Sequence, residues 1–178
     1  KHYAQNARET RIRGHKLYWR QKGITVEQIK EPSSTSQGDT QHTQMSPVKS
    51  GVAFTFRVYF ENLSDVELGA LAWAITLPRG EEHHHQLGMG KPYGMGVVKL
   101  HATLHLSNLE ARYKNLFAQW NERDNEAHPS ESLIEQFEQY ICQEIGHQDG
   151  YQTIPRIKEL LAMLTVHQPM GNRFRYMT

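Results

Sequence analysis

The stretch NLSDVELGALAWAITL, residues 62–77, contains a complete set of signals for an α-helix. Ser64 can act as the N-cap, and Glu67, three residues later, can bond back to the N-cap amide in a capping box. Pro78 and Gly80 follow and end the helix. Two apolar stripes recur at helical spacing: Leu68, Leu71, Ala72 and Ile75, then Ala70, Trp73 and Leu77. We therefore predict a largely buried helix.

Two segments with a period of two flank this helix. In VAFTFRVYF (52–60) and VVKLHATLHL (97–106), apolar residues occupy alternate positions, which predicts half-buried strands. The open face of the first strand presents Arg57 and Tyr59, a pair that can contact phosphate and base, although a plain solvated face is equally compatible with them. The predicted order is strand, helix, glycine-rich loop and strand, with the helix packed on the strand before it.

The rest of the chain is predicted to be helical. The segments are LEARYKNLFAQW (109–120), ESLIEQFEQYICQEI (131–145, closed by Gly146) and IPRIKELLAMLT (154–165, opened near Thr153 with Pro155 in its first turn). In the second segment one apolar face holds Ile134, Phe137, Ile141 and Ile145. Cys142 lies off that face. These features are typical of ordinary packed helices.

Composition limits the class of protein. The 178 residues fit one domain, the formal net charge is +1, and no apolar run approaches the roughly 20 residues of a membrane-spanning helix. The single cysteine, Cys142, excludes an internal disulfide and a cysteine-rich zinc site. We expect a cytoplasmic protein with no membrane contact. The opening KHYAQNARET has no initiator Met, and we interpret the chain as a fragment of a longer protein.

The N-terminal part contains basic residues followed by a polar segment. Residues 10–20 could form a strand, and Arg11, Arg13 and Lys16 in it are candidate phosphate contacts. Residues 31–51 are rich in Ser, Thr, Gln, Pro and Gly, which predicts a mobile loop, either functional or a plain surface insertion. Asp39 in this loop could act with a divalent metal on a scissile phosphate, although a turn-forming Gly-Asp pair is the simpler interpretation.

The glycine-rich loop LGMGKPYGMG, residues 87–96, matches neither a dinucleotide fingerprint nor a P-loop. Glycine permits close approach of a ligand to the backbone and leaves N–H groups free to face phosphate. Lys91 adds a positive charge, and Tyr93 and Met95 offer surfaces on which bases can stack. The loop could therefore follow a sugar–phosphate backbone through the residues Gly88, Gly90, Lys91, Tyr93, Gly94 and Gly96. A flexible connection is the alternative.

Histidines could supply acid–base chemistry. His83, His84 and His85 are consecutive, and His101 and His105 follow in the next predicted strand. A general base for RNA cleavage could come from His84 or His85, although solvated or phosphate-contacting histidines are the simpler interpretation. Adjacent histidines rarely converge on one ion, so we predict no resident metal. A divalent ion is expected only if the chain is a target-RNA nuclease.

The blocks FENLSDVELGALAWAITLP (60–78) and HHHQLGMGKPYGMGVVKL (83–100) resemble the RAMP superfamily of CRISPR-associated proteins, most closely the large RAMP proteins of type III systems. RIRGHKLYWRQ (11–21) and the RYM near the end resemble the same group. The resemblance implies an α+β, ferredoxin-like or RRM-like fold with an antiparallel sheet, present here only in part. It also implies that the glycine-rich loop contacts guide RNA and that the loop 31–51 stands where relatives insert a thumb, in some with a cleaving Asp.

This resemblance divides the chain into four parts. They are an N-terminal strand-bearing segment (1–30), the mobile loop (31–51), a strand–helix–loop–strand core (52–108) and a helical extension (109–178). The expected function is to hold single-stranded CRISPR RNA by its backbone in a ribonucleoprotein for antiviral defence, with other effector subunits or the rest of a longer chain as partners. The alternatives are an endoribonuclease that acts on precursor or target RNA, and a purely structural subunit.

Overall fold

The computed structural model describes residues 17–21, 46–78, 83–114, 117 and 127–167. Its helices are α1 (Asp65–Thr76), α2 (Leu109–Lys114), α3 (Glu131–Ile145) and α4 (Pro155–Leu164), and 3₁₀ turns cover Lys91–Tyr93 and Tyr151–Thr153. Its strands are β1 (Arg20–Gln21), β2 (His85–Gln86), β3 (Val97–Val98), β4 (Leu104–His105), β5 (Ala127–His128) and β6 (Val166–His167). These elements define an α+β class. No helix of the described residues is long and apolar enough to cross a membrane.

Helix α1 begins as the sequence predicts. The Ser64 backbone N–H donates to Glu67 Oε2 over 2.8 Å, and the Glu67 N–H donates to Ser64 Oγ over 3.4 Å, so the capping box is confirmed. The helix stops at Thr76, where Leu77 takes a positive φ of 56° and its N–H bonds to the Trp73 carbonyl. Pro78 follows and prevents continuation. Local chemistry thus sets both ends.

The partner of α1 differs from the prediction. Helix α1 packs on α3 and not on the preceding segment, because Gly69 lets the two backbones come close together. A Cβ at Gly69 would lie 2.0 Å from the Leu133 carbonyl oxygen and 3.0 Å from the Phe137 Cβ. A glycine inside a helix weakens it, but here it permits the close crossing that positions the core.

An aromatic cluster fills the core between these helices. Trp73 meets Tyr151 edge to face with ring centroids 5.4 Å apart, and Phe137 contacts both rings. The other buried members are Leu77, Ile154, Leu161 and Leu164. Helix α3 ends at Gly146 as predicted, but two details of its face were wrong: Cys142 packs against the core, whereas Ile145 is exposed. Near the C-terminal end of α3, the side of the helix that faces the core therefore contains Cys142 instead of Ile145.

The strands of the described residues pair only two by two. β2 and β3 are antiparallel, β4 and β5 are antiparallel, and β1 runs parallel to β6. The predicted strand 97–106 is therefore wrong in extent, since only its two ends, β3 and β4, find partners. A strand exists only where a neighbour accepts its backbone hydrogen bonds, and residues 99–103 have no such neighbour in the described part.

The predicted strand 52–60 is also wrong as a strand. Residues 52–60 form no helix or strand, and every one of them is exposed. The alternation of apolar side chains is real, but within the described ranges no other segment bonds to this backbone. The apolar face therefore stays in solvent, with Phe54 77% exposed.

Three segments meet at the end of α4. β1 pairs with β6, His83 forms a bridge to Thr165, and the His84 N–H donates to the Leu164 carbonyl over 2.9 Å. The buried Arg20 guanidinium donates to the Met163 carbonyl, and burial lowers the Arg20 pKa below its ordinary value. Of the predicted strand 10–20, only Arg20 lies in a strand; residues 17–19 form none, and residues 10–16 lie outside the described residues, as does most of the loop 31–51.

Candidate nucleic-acid interface

The glycine-rich loop connects two antiparallel strands. His85 of β2 lies opposite Val98 of β3, and Gln86 lies opposite Val97, so residues 87–96 form the turn of a β-hairpin. The Leu87 N–H donates to the Gly96 carbonyl over 2.8 Å and closes the base of the turn. The prediction of a loop directly before a strand is confirmed, and the loop has the conformation of a hairpin turn.

All four glycines of the loop take positive φ. The angles are 82° at Gly88, 73° at Gly90, 75° at Gly94 and 73° at Gly96. Residues with a side chain rarely adopt a positive φ, so the backbone conformation of the turn requires glycine at these positions. A Cβ at Gly96 would lie 1.9 Å from the Leu87 carbonyl oxygen, whereas a Cβ at Gly88 would meet nothing within 4 Å. Gly96 thus serves the turn, and Gly88 faces open space.

The Gln86 side chain supports the loop from inside. Its Nε2 donates to the Lys91 carbonyl over 3.0 Å and to the Met95 carbonyl over 2.9 Å. Both hydrogens of one amide group therefore tie the two halves of the turn together, and the 3₁₀ turn at Lys91–Tyr93 is fixed between Gly90 and Gly94. Sequence reasoning missed Gln86, because a glutamine before a glycine-rich turn has no recognisable pattern.

One side of the turn keeps its amides available. Within the described residues, the N–H groups of Gly88, Met89, Gly90 and Lys91 donate no hydrogen bond, whereas those of Tyr93, Gly94 and Met95 bond within the turn. Left-handed Gly88 and Gly90 alternate with Met89 and Lys91, whose φ is not positive. Consecutive amides in a turn with left-handed residues are the backbone groups from which anion-binding nests are built. The turn can therefore bind an anion through consecutive amides.

The side chains around these amides suit a nucleotide chain. Lys91 brings its ammonium group on the same four-residue stretch, as a point charge for a phosphate. Met89 is 64% exposed and Tyr93 39% exposed, so both offer apolar surface on which a base can lie. Met95 is less available for base stacking than predicted, because its side chain packs against Gly90 inside the turn. A Cβ at Gly90 would lie only 2.6 Å from the Met95 sulfur.

The other predicted RNA contacts belong to other parts of the sequence. Arg57 is exposed and belongs to the segment 52–60, and among the described residues no backbone hydrogen bond joins this segment to the glycine-rich turn. Arg11, Arg13 and Lys16 lie outside the described residues, as does Asp39. RNA contact by Arg11, Arg13 and Lys16 and catalysis by Asp39 therefore stay predictions.

The consecutive histidines have separate structural contacts. His85 Nε2 lies 2.9 Å from the Ile75 carbonyl oxygen near the end of α1, one of the carbonyls that a helix end leaves unpaired. The buried His83 places Nδ1 3.1 Å from Thr165 Oγ1, and His84 bonds through its backbone to α4. These contacts fasten the hairpin to the helices. They do not bring two histidines onto one reacting atom.

Among the described residues, no group of three or more His, Cys, Asp or Glu could hold a metal ion.

A shallow cleft of about 280 Å³ lies beside α3 and is lined by Glu135, Glu138, Gln139, Cys142, His147, Gln148, Gly150 and Tyr151. Burial raises the Glu138 pKa, the Trp73 indole N–H opposes this rise, and the charge of Glu135 adds to it. Burial also raises the pKa of Tyr151, to about 12, with the charges of Glu138 and Cys142 contributing. His147 Nε2 lies 2.7 Å from Thr153 Oγ1 and holds the loop after α3.

No family model matches this sequence, and no curated protein matches it.

Proposed function

We propose that this chain is a guide-RNA-binding RAMP subunit or domain of a type III-like RNA-guided effector, and that its strands belong to a ferredoxin-like RAMP unit. The observation that supports the proposal best is the row of available amides at Gly88–Lys91 on a turn fixed by Gln86. The resemblance of residues 60–100 to RAMP proteins is the reason for proposing that the bound RNA is a guide RNA.

The turn would hold RNA mainly through phosphate. A phosphate oxygen accepts from the amides of residues 88–91, while the Lys91 ammonium neutralises part of its charge. Met89 and Tyr93 then offer stacking surface to the neighbouring bases, which every base can use. Because neither contact reads a base edge, the binding is independent of RNA sequence, as a guide-holding protein requires.

Catalysis has less support than binding. His85 Nε2 lies at hydrogen-bond distance from the Ile75 carbonyl, which can only accept, so this nitrogen carries a proton and is not a general base in this contact. The chain is therefore proposed to bind RNA without cleaving it, and its assembly partners are proposed to be other effector subunits in the prokaryotic cytoplasm.

The proposal predicts salt-sensitive binding of a labelled single-stranded RNA of about 30 nucleotides. Each phosphate neutralised on a single strand contributes a slope of about −0.7 to log K against log salt. Fluorescence anisotropy at several salt concentrations measures this slope, and a gel run afterwards shows whether the RNA is intact. Absence of binding by a folded sample contradicts the proposal. Shortened RNA supports an endoribonuclease instead, and repeating the reaction with EDTA separates acid–base from metal-dependent cleavage.

Lys91→Ala tests the turn directly. We expect binding to weaken about three- to tenfold for all RNA sequences alike, with the salt slope reduced by about 0.7, because one phosphate contact is lost. Lys158→Ala is the matched control, since Lys158 is an exposed lysine on α4 and its removal changes the net charge equally. Equal losses in both variants, or a loss that depends on RNA sequence, would count against the turn as the phosphate site.

A further inference from the structure

The carbonyl groups in the middle of the glycine-rich turn face its interior. The Gly90 carbonyl accepts from the N–H groups of Tyr93 and Met95 over 2.9 and 3.2 Å. The Lys91 carbonyl accepts from the Gly94 N–H over 3.0 Å. In a trans peptide unit the C=O and the N–H point in opposite directions, so the Lys91 N–H points away from this interior. Because carbonyl dipoles repel an anion and amides attract it, this orientation decides whether the turn can bind phosphate.

The half-buried Gln86 side chain completes this arrangement. Its Nε2 donates to the Lys91 carbonyl over 3.0 Å and to the Met95 carbonyl over 2.9 Å. Among the described residues, no backbone N–H donates to the Met95 carbonyl, so the glutamine amide is what holds it inside the turn. One side chain therefore fixes a carbonyl on each half of the turn.

The hairpin is fastened to the helices without this side chain. His85 Nε2 lies 2.9 Å from the Ile75 carbonyl oxygen, and the His84 N–H donates to the Leu164 carbonyl over 2.9 Å. Both contacts lie outside the turn itself. Loss of the Gln86 amide should therefore change the conformation of the turn without detaching the hairpin.

We propose that Gln86 is the positioning residue of the phosphate site, an inference that rests on the proposed function of the turn. By holding the Lys91 and Met95 carbonyls inside, Gln86 keeps the amides of residues 88–91 in their arrangement before RNA arrives. A preorganised site binds more tightly, because its groups need no ordering when the ligand binds. Gln86 acts through the backbone of the turn and makes no contact with phosphate itself.

Gln86→Met tests this role, because methionine is similar in length and has no hydrogen-bond donor. The variant should bind labelled single-stranded RNA about tenfold more weakly, since two hydrogen bonds no longer hold the turn. The salt slope should stay unchanged, because the Lys91 charge is still present. Gln136→Met, the same exchange at an exposed glutamine of α3, should bind as the unchanged chain does. Fluorescence anisotropy titrations measure the three affinities.

The fraction of active molecules separates positioning from folding. A titration at RNA concentrations well above Kd counts the molecules that can bind. If Gln86 only stabilised the fold, Gln86→Met would lower this count and leave the Kd of the remaining molecules unchanged. A positioning role predicts an unchanged count and a raised Kd.

Hydrogen exchange tests the contact in the unchanged chain. By NMR, the side-chain amide hydrogens of Gln86 should exchange with solvent more slowly than those of the exposed Gln136, because the Gln86 amide donates to two carbonyls. Equal exchange rates overturn the inference. This measurement decides the question if Gln86→Met fails to fold.

The binding results distinguish failure of this inference from failure of the proposed function. If Lys91→Ala weakens RNA binding and Gln86→Met does not, the positioning role is wrong and the proposed function stands. Equal losses in Gln86→Met and Gln136→Met, or a loss confined to the active fraction, also overturn the positioning role. Absence of RNA binding by the folded, unchanged chain contradicts both.

Discussion

Helices α1, α3 and α4 and the alternating segments of this chain have equally regular sequence patterns, but only these three helices form close to their predicted lengths. Of the predicted helix 109–120, the structure describes helix α2 over Leu109–Lys114, and residues 115, 116 and 118–120 lie outside the described residues. Helix α3 covers Glu131–Ile145 as predicted, whereas 52–60 forms no strand and 97–106 is a strand only at its two ends. A helix satisfies its backbone hydrogen bonds within itself. A strand needs a neighbour, and a period of two specifies which face is apolar without specifying what covers it.

The same contrast separates two aromatic side chains of similar size. Trp73 is 7% exposed between α1, α3 and the turn at Tyr151, while Phe54 is 77% exposed on the unpaired segment. Burial against other residues, and not apolar character alone, decides what each one contributes to stability. Substitutions in the two regions can measure the difference.

Trp73→Ala should give the largest effect. Removing a buried aromatic ring loses its transfer free energy and leaves a cavity beside Phe137, so we expect about 3–5 kcal/mol of destabilisation. Phe54→Ala should change stability by no more than about 0.5 kcal/mol, because its ring is already in water. Urea unfolding of the monomer, followed by circular dichroism, compares them. Equal losses would mean that segment 52–60 is packed in solution.

Gly69→Ala should have the next largest effect. The new Cβ would meet the Leu133 carbonyl oxygen, and backbone cannot move away as a flexible side chain can. We expect a loss of about 1–3 kcal/mol in the free energy of unfolding, although alanine favours a helix over glycine by about 1 kcal/mol. The reverse change at an exposed position of the same helix, Ala74→Gly, isolates the propensity term. A stabilising Gly69→Ala would contradict the close crossing of α1 and α3.

Helix ends and turns, which depend on residues close in the sequence, were predicted correctly. Ser64 with Glu67 set the start of α1, Gly146 set the end of α3, and Pro155 set the first turn of α4. Each signal acts within one or two turns of helix, so no knowledge of the fold was needed. The need for glycine in the turn 87–96 was readable for the same reason, since positive φ is a local property.

Side-chain contacts and packing partners that lie farther away in the sequence could not be predicted. The sequence suggested catalysis for His85, but its contact is a carbonyl of α1, ten residues earlier. Gln86 gave no signal at all, although its amide fixes the turn. The partner of α1 was assigned wrongly, because the apolar stripes of a helix show that something covers them and do not say whether it is a strand or a helix.

The capping box offers a smaller test of the local signals. Ser64→Ala removes one acceptor for the Glu67 N–H and should cost about 1 kcal/mol, measured by urea unfolding at neutral pH. Ser132→Ala, inside α3 at an exposed position, should be close to neutral. If both variants lose stability equally, the capping contact does not stabilise α1.

Acid should weaken the same cap. Hydrogen bonds from the Ser64 backbone and side chain lower the Glu67 pKa, so the folded state favours the carboxylate. This stabilisation is present above the ordinary pKa of glutamate and is lost as the pH falls through the lowered value. Glu67→Gln should flatten that part of the stability–pH curve.

Glu138→Gln should give the smallest effect, with the opposite sign. Burial, followed by the charge of Glu135, raises the Glu138 pKa, so folding favours its protonated form. That contribution is fully present below the ordinary pKa of glutamate and is lost as the pH rises through the raised value. Glutamine is neutral at every pH, so the variant should melt at a slightly higher temperature at pH 7. The gain should vanish below about pH 4. Glu144→Gln, exposed on the same helix, is the control, and a gain independent of pH would show that shape or helix propensity, and not charge, explains it.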